Sequence, residues 1–330
     1  MSEKTYAMAI RDTLAQEMRR DREVFVMGED VAQQGGIFGC TKGLFDEFGE
    51  ERVRNTPISE NTFVGAGVGA ACAGMRPVVE LMYMDFLYLA MDQVLNQAAK
   101  IRYMFGGKVK VPLVIRGQQG IGRGNGAQHS QSVESMMMHI PGIKIACPSC
   151  PSDAAGLLRT AIRDDNPVLF FEHKALYSAK GEVPDDPEYA IPFGQANILR
   201  EGKDVTIVTN LLYRNKSLEA AELLSKEGIS AEVIDPRTLI PLDINTIIKS
   251  VKKTGRLITV HEAHREMGWG TEVAAQVTEK AFKYLDAPPL RVGAKMCSLP
   301  FNLGLENAVV PQTEDIIKAA KIVLHIIKQE

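Results

Sequence analysis

Thr56-Pro57-Ile58-Ser59-Glu60-Asn61-Thr62-Phe63-Val64-Gly65-Ala66-Gly67-Val68-Gly69-Ala70-Ala71-Cys72-Ala73-Gly74 is the stretch on which the reading of this chain turns. Serine and glutamate just ahead of a small, apolar run mark a helix start, and Glu60 then sets its charge against the positive end of that helix. Interior glycines cost a helix about 1 kcal/mol each relative to alanine, so the face left almost without side chains has to be approached closely by something. The run holds a G-x-G-x-x-A pattern, and Glu80 follows at a predicted strand end, as in a dinucleotide-binding fingerprint. That fingerprint belongs directly after a strand, whereas residues 60–64 intervene here. Close helix-to-helix packing, including across a subunit interface, is the reading the spacing favours.

Outward from this stretch the chain alternates. Short Val/Ile/Leu runs at 24–27, 78–81, 113–115, 143–146 and 168–171 are separated by helical patterns at 6–20, 41–48, 61–74, 85–105 and 152–163. Such alternation predicts an α/β fold with a parallel sheet covered on both faces. Leu89, Val94 and Ile101 read as the core side of the helix at 85–105, and Phe86 stands at its start. Residues 181–204 break the rhythm with Pro184, Pro187 and Pro192 among Asp185, Asp186 and Glu188, the composition of an interdomain connection. A smaller alternating set resumes with strands at 205–208, 231–234 and 257–260 and helices at 214–226, 245–252, 271–285 and 313–327. The expected organisation is a first domain at 1–180, a linker at 181–204 and a second, smaller α/β domain at 205–330.

A chain of 330 residues exceeds one average domain of roughly 150 residues. Charged residues make up 24% and the net charge is -3, so no basic surface offers itself to nucleic acid. The start Met1-Ser2-Glu3-Lys4-Thr5 lacks a signal-peptide pattern, and no run approaches the ~20 apolar residues of a membrane span. A soluble, cytoplasmic protein with no membrane partner is expected. Cys40, Cys72, Cys147, Cys150 and Cys297 are an odd number, thinly spread, and read as reduced thiols.

Several side chains are candidates for chemistry. Glu60 is either dipole compensation at a helix start or a catalytic carboxylate. Phe86 is either packing or a stacking platform. Gly117, Gly120, Gly122, Gly124 and Gly126 follow a strand and lead to His129; without G-K-[ST] this is no nucleoside-triphosphate loop, and it presents His129 as a proton carrier or as a structural histidine. Cys147-Pro148-Ser149-Cys150 has no further zinc ligands at suitable spacing; its place between a strand and a helix N-terminus offers a redox reading, against the simpler one that it starts that helix with proline in its first turn. His261-Glu262-Ala263-His264 misses the H-E-x-x-H spacing and is expected in a strand-end loop.

Taken together, Thr56-Pro57-Ile58-Ser59-Glu60, Met75-Arg76-Pro77, Met91-Asp92-Gln93, Ala127-Gln128-His129-Ser130-Gln131, Pro141-Gly142-Ile143-Lys144 and Ala161-Ile162-Arg163-Asp164-Asp165-Asn166-Pro167 closely resemble the β subunit of the E1 component of 2-oxo acid dehydrogenase complexes. This is the thiamine-diphosphate-dependent group acting on pyruvate, branched-chain 2-oxo acids or acetoin, and the similarity runs through nearly the whole chain. The resemblance implies a transketolase-like pyrimidine-binding domain followed by a transketolase C-terminal domain, assembled as α2β2 with a separate α subunit and a second β subunit. Glu60 matches the glutamate that hydrogen-bonds the aminopyrimidine, favouring the imino tautomer whose neighbouring nitrogen removes the thiazolium proton. Phe86 matches the residue stacked on the pyrimidine. His129 matches the histidine that moves protons as the acyl group passes to lipoyl-lysine of E2.

The family's diphosphate half holds Mg2+ through G-D-G and a downstream asparagine, a pattern this sequence lacks, so that half is expected from the α chain. A structural potassium is bound in the family by backbone carbonyls, here matched by Leu113, Ala161, Ile162, Asp164 and Asn166. Asn210-Leu211, Met296 and Ser298 depart from the family's second-domain pattern, which bears on contacts with the second β subunit or E2. Glu172-His173-Lys174-Ala175-Leu176-Tyr177 looks most like acetoin-type members. The expected activity is decarboxylation of a 2-oxo acid, pyruvate foremost, or cleavage of acetoin. Two other readings stay open at this point, a nucleotide-dependent oxidoreductase using residues 65–70 and a non-catalytic assembly subunit.

Overall fold

A computed structural model describes residues 1–328. Two compact units emerge, one formed by Met1–Gln119 and Met136–Phe193 and the other by Gly120–Ser135 and Gly194–Glu330. In chain order the elements are β1 (Ser2–Thr5), α1 (Tyr6–Arg20), β2 (Val24–Gly28), α2 (Leu44–Phe48), β3 (Val53–Asn55), α3 (Glu60–Cys72), β4 (Arg76–Leu81), α4 (Ala99–Met104), β5 (Val114–Gln119), α5 (Glu134–Met137), β6 (Lys144–Ala146), α6 (Pro151–Arg163), β7 (Val168–His173) and β8 (Lys180–Val183). They continue with β9 (Asn197–Arg200), β10 (Val205–Thr209), α7 (Tyr213–Lys226), β11 (Ala231–Asp235), β12 (Thr238–Ile240), α8 (Ile244–Thr254), β13 (Leu257–His264), α9 (Trp269–Ala281), β14 (Leu290–Ala294), α10 (Leu303–Val309) and α11 (Thr313–Val323).

In the first unit six strands pair in parallel in the order β6-β7-β5-β4-β2-β3. All residues of β2, β5 and β7 are buried, which explains why these strands read as unbroken apolar runs rather than alternating ones. A separate ribbon pairs β1 with β8 antiparallel. Helices α1 and α6 pack together around Glu17, a buried carboxylate that accepts from Arg159 Nε at 3.2 Å and Arg163 Nη2 at 2.8 Å. The sheet accounts for one glycine of α3: a Cβ on Gly67 would lie 2.8 Å from Val79 Cγ2, so the helix sits directly on β4, while a Cβ on Gly65 would instead meet the Gln93 side chain at 3.0 Å.

The long helix expected over 85–105 is three pieces, a 3-10 helix at Met84–Ala90, a π-helical stretch at Gln93–Ala98 and α4. The change of pitch turns the presumed core stripe, and Leu89 is 60% exposed while Val94 is buried.

In the second unit the order is β14-β13-β10-β11-β9, with β9 antiparallel to β11 and the other pairs parallel. The run 181–204, expected as a bare connection, carries most of β8 and all of β9. His261-Glu262-Ala263-His264 is not a loop as expected but the continuation of β13, with the first three residues buried. Among the described residues no helix is long and apolar enough to cross a membrane.

One buried charge cluster ties the centre of the first unit's sheet. Arg116 on β5, fully buried, donates through Nε and Nη2 to both carboxylate oxygens of Glu172 on β7, each at 2.6 Å, and also pairs with Glu80 on β4. Tyr177 donates its hydroxyl to Glu172 Oε2 at 2.6 Å. Removing the guanidinium would leave two buried carboxylates without their counter-charge. Arg116→Ala is expected to cost about 3–5 kcal/mol, read as a lowered urea midpoint of the β chain; an unchanged midpoint contradicts this account of the sheet centre.

Candidate functional site

Strand order dictates where loops of the first unit gather. The chain leaves β2 toward β3 on one side and returns to β4 on the other, so a crevice opens at the carboxyl ends of β2 and β4, the place where open parallel sheets bind ligands. Glu29 directly follows β2. The backbone N–H of Thr56 donates to the Gly28 carbonyl at 2.9 Å, which lays the run leading to Glu60 across the same strand end. The N–H of Ala32 donates to Asn55 Oδ1 at 2.8 Å and joins the two segments again.

Glu60 is the first residue of α3 and is only 6% exposed. Ser59 occupies the cap position, yet its hydroxyl donates to Thr62 Oγ1 at 2.7 Å and accepts from no backbone N–H of the helix. Glu29 is equally buried, and its Oε1 has no hydrogen-bond partner among the described residues. Burial first, then the negative charges of Glu60 and Asp30, push the Glu29 carboxyl up to about 7. Sequence reasoning passed Glu29 over, because Gly28-Glu29-Asp30 signals only the end of a strand; its value lies in what the fold places beside it.

Phe86 lies half-buried in the 3-10 helix that follows β4, an element packed against α3. Its N–H donates to the Tyr83 carbonyl at 2.9 Å. Tyr83 stands edge-on to Phe38 with ring centroids 6.2 Å apart, and Phe38 stacks on Tyr177 at 4.5 Å. Beyond β7 the Lys174 ammonium lies 5.2 Å from the centre of the Tyr83 ring. Glu60 and Phe86 therefore belong to one unit and one strand edge. His129 belongs to the second unit, half-buried in a turn where its N–H faces the Gly126 carbonyl at 3.4 Å.

The five residues matched to a potassium site occupy one corner, where the end of α6 meets the segment before β5. Arg76 Nη1 donates to the carbonyls of Ile162 at 3.0 Å and Asp164 at 3.1 Å, so these two oxygens converge on a point that already attracts positive charge. Leu113 O accepts from Val168 N at 2.8 Å, and Ala161 O from Asp164 N at 3.3 Å. Asn166 donates from its backbone and side chain to Asp164 Oδ1 at 2.9 and 2.8 Å. Neutral carbonyl oxygens are donors of the kind a potassium ion takes, each keeping a second lone pair beside its present bond.

A buried carboxyl oxygen without a donor is costly and calls for a partner that the chain does not itself supply. Glu60, a second carboxyl near neutrality and a half-buried aromatic on one strand edge fit a flat, nitrogen-bearing ring with hydrogen-bonding positions on its rim. Glu29, pushed up to about 7, can hold and pass a proton at neutral pH.

Residues 2–180 match the family model "Transketolase, pyrimidine binding domain" and residues 194–316 match "Transketolase, C-terminal domain". Among curated relatives, the acetoin:2,6-dichlorophenolindophenol oxidoreductase subunit beta of Cupriavidus necator is 48% identical, with 95% of each chain covered. The mitochondrial pyruvate dehydrogenase E1 component subunit beta of Dictyostelium discoideum is 48% identical over 97% of this chain and 90% of its own. The corresponding subunit of Rhizobium meliloti is 45% identical over 98% of this chain and 71% of its own. A solved structure titled as a split gene transketolase, inactive beta4 tetramer, superposes with a TM-score of 0.78 at 23% identity, covering 98% of this chain and 99% of that one, a likeness of fold.

The carboxyl pair predicts a pH signature. Between its ordinary value of 4.5 and about 7, folded Glu29 keeps a proton that the unfolded chain has released. Stability contributed at this site therefore falls as pH rises through that window. Glu29→Gln is expected to gain stability relative to the wild type at about pH 7.5 and little at about pH 5, measured by urea unfolding of the β chain. An equal change at both values contradicts the burial and charge assigned to Glu29.

Proposed function

The chain belongs to the family of E1 β subunits of thiamine-diphosphate-dependent 2-oxo acid and acetoin dehydrogenases, built from transketolase pyrimidine-binding and C-terminal domains, and from that premise we propose that it forms half of an active site completed by an α subunit. The proposed assembly is α2β2, cytoplasmic, with the diphosphate and Mg2+ held mainly by the α chain and the acyl group handed to a lipoyl-bearing E2. Pyruvate is the proposed substrate. The observation that carries the reading is the pair of buried carboxyls, Glu29 and Glu60, at the crevice of the parallel sheet.

When bound, thiamine diphosphate supplies the nucleophilic carbon and the electron sink for cleaving a bond next to a carbonyl. In this reading Glu60 holds a proton at the ring nitrogen of the aminopyrimidine, in a buried setting where that hydrogen bond is strong. Glu29, protonated near neutrality, keeps the pair from carrying two full negative charges side by side. Phe86 presents an aromatic face to the ring. His129 carries a proton to or from the lipoyl sulfur during acyl transfer. The carbonyls of Leu113, Ala161, Ile162, Asp164 and Asn166 are the proposed potassium ligands, in a structural role away from the carboxyl pair.

Acetoin cleavage is the second reading. It is supported by the segment Glu172–Tyr177 and by the 48% identity to the Cupriavidus necator subunit. Co-expression with an α-type subunit, followed by redox-dye assays with pyruvate, branched-chain 2-oxo acids and acetoin, separates the two.

Two substitutions test the roles. Glu60→Gln in the assembled complex is expected to lower thiamine-diphosphate-dependent dye reduction by about 100-fold or more; turnover left intact would favour a purely scaffolding subunit. For His129→Ala, acylation of lipoyl-lysine is expected to fall by about 100-fold while dye-linked decarboxylation changes much less. Equal losses in both half-reactions would remove the role given to this histidine.

A further inference from the structure

The glycine-rich run that carries His129 follows β5 of the first unit, yet residues Gly120–Ser135 pack as part of the second. Two carboxylates of that unit hold it. Glu262, on the extended end of β13, accepts from the backbone N–H of Ile121 at 2.8 Å through Oε1, and the Ser132 hydroxyl lies 3.4 Å from the same oxygen. Because Gly120 N donates to Gln131 O at 3.0 Å, this one oxygen reaches both sides of the loop's neck. Glu306, on α10 and 1% exposed, accepts from the N–H of Gly122 at 3.2 Å through Oε2.

Packing reinforces the polar contacts. Ile121 is buried against Ala294 and Val310, with Leu299 and Val309 alongside. Gly124 and Gly126 both have positive φ, 61° and 73°, and a Cβ would lie 2.7 Å from the Phe301 carbonyl oxygen and 2.6 Å from Phe301 Cδ2 respectively. Only glycine satisfies both the backbone conformation and that approach. Three residues after Gly126 comes His129, in the turn closed by the Gly126 carbonyl. Contacts that fix the loop upstream of the histidine thus come from β13, β14, α10 with the Val310 that follows it, and the segment between β14 and α10.

We infer that Glu262 and Glu306 are positioning residues for His129, setting the histidine through the backbone amides of its loop and so making the second domain a participant in acyl transfer. The inference rests on the role proposed for His129. Charge-assisted hydrogen bonds to backbone N–H groups are strong and directional, and a catalytic group displaced by about 1 Å can lose about 100-fold in rate. Glu262 is the more telling of the two, because it grips the neck where small rotations are carried to the loop's tip.

The test uses the assembled complex with its α partner. Glu262→Ala is expected to slow lipoyl acylation by about 10- to 100-fold and to leave dye-linked decarboxylation within about 3-fold. Glu262→Gln, which keeps an acceptor for Ile121, is expected to recover most of the loss. Glu262→Ala combined with His129→Ala is expected to be no slower than His129→Ala alone, since both act through one side chain. Multiplied losses in the double variant, or equal losses in both half-reactions, overturn the inference. Amide hydrogen exchange at Ile121 and Gly122 is an independent readout: faster exchange in Glu262→Ala supports the anchor, and unchanged exchange overturns it whatever His129 does. Normal acylation by His129→Ala would instead remove the histidine's role, and with it the functional half of the inference. Glu306→Ala, read by the same exchange and acylation measurements, serves if Glu262→Ala does not fold.

Discussion

A carboxyl group taken out of water ionises only at a cost, which a second negative charge nearby raises, and this constraint acts on Glu29 at the carboxyl edge of the first sheet. Glu29 responds by holding its proton up to about pH 7, and one of its oxygens still finds no donor among the described residues. A folded chain tolerates such a site only if the rest of the structure is stable enough to carry it. The Arg116 cluster at the sheet centre and the Glu17 contact between α1 and α6 show the contrasting arrangement, buried carboxylates fully paired with guanidinium groups. The difference between paired and unpaired burial is what separates the framework from the site.

Much of the framework was legible because it rests on local periodicity. The helix over Tyr6–Arg20 follows from Ala7, Ile10, Leu14 and Met18 at helical spacing, and the buried strands follow from Val/Ile/Leu runs between turn residues. What was lost depends on contacts far apart in sequence. The β1–β8 ribbon joins residues 2–5 to residues 180–183, and neither partner has an apolar signature of its own. The stretch 84–104 defeats a 3.6-residue template because it passes through 3-10 and π geometry before α4, which carries Leu89 outward. Segment Leu303–Val309 forms α10 behind an asparagine cap, a helix too short for periodicity to reveal.

The candidate site divides in the same way. Glu60 was visible as a carboxylate at a helix start, and family resemblance supplied its meaning together with Phe86 and His129. Glu29 carried no signal in isolation, since a glutamate after a strand is ordinary; its shifted titration comes from burial and from Glu60, which is 31 positions away by number and adjacent only in the fold. His261-Glu262-Ala263-His264 drew attention as a near miss to a metal motif, and the structure gives Glu262 a different task at the neck of the His129 loop. Departures from the family pattern at Met296 and Ser298 lie in the segment leading to Phe301, which the loop glycines contact.

Placing a thiamine ring against the Glu60 carboxyl is the claim on which the functional account stands. A structure of the α2β2 complex with thiamine diphosphate measures it directly. The account predicts a Glu60 carboxyl oxygen within hydrogen-bond distance of the aminopyrimidine nitrogen, about 2.6–3.0 Å, with Phe86 against the ring face. A ring bound elsewhere, or separated from that carboxyl by more than about 4 Å with no water between them, would contradict it.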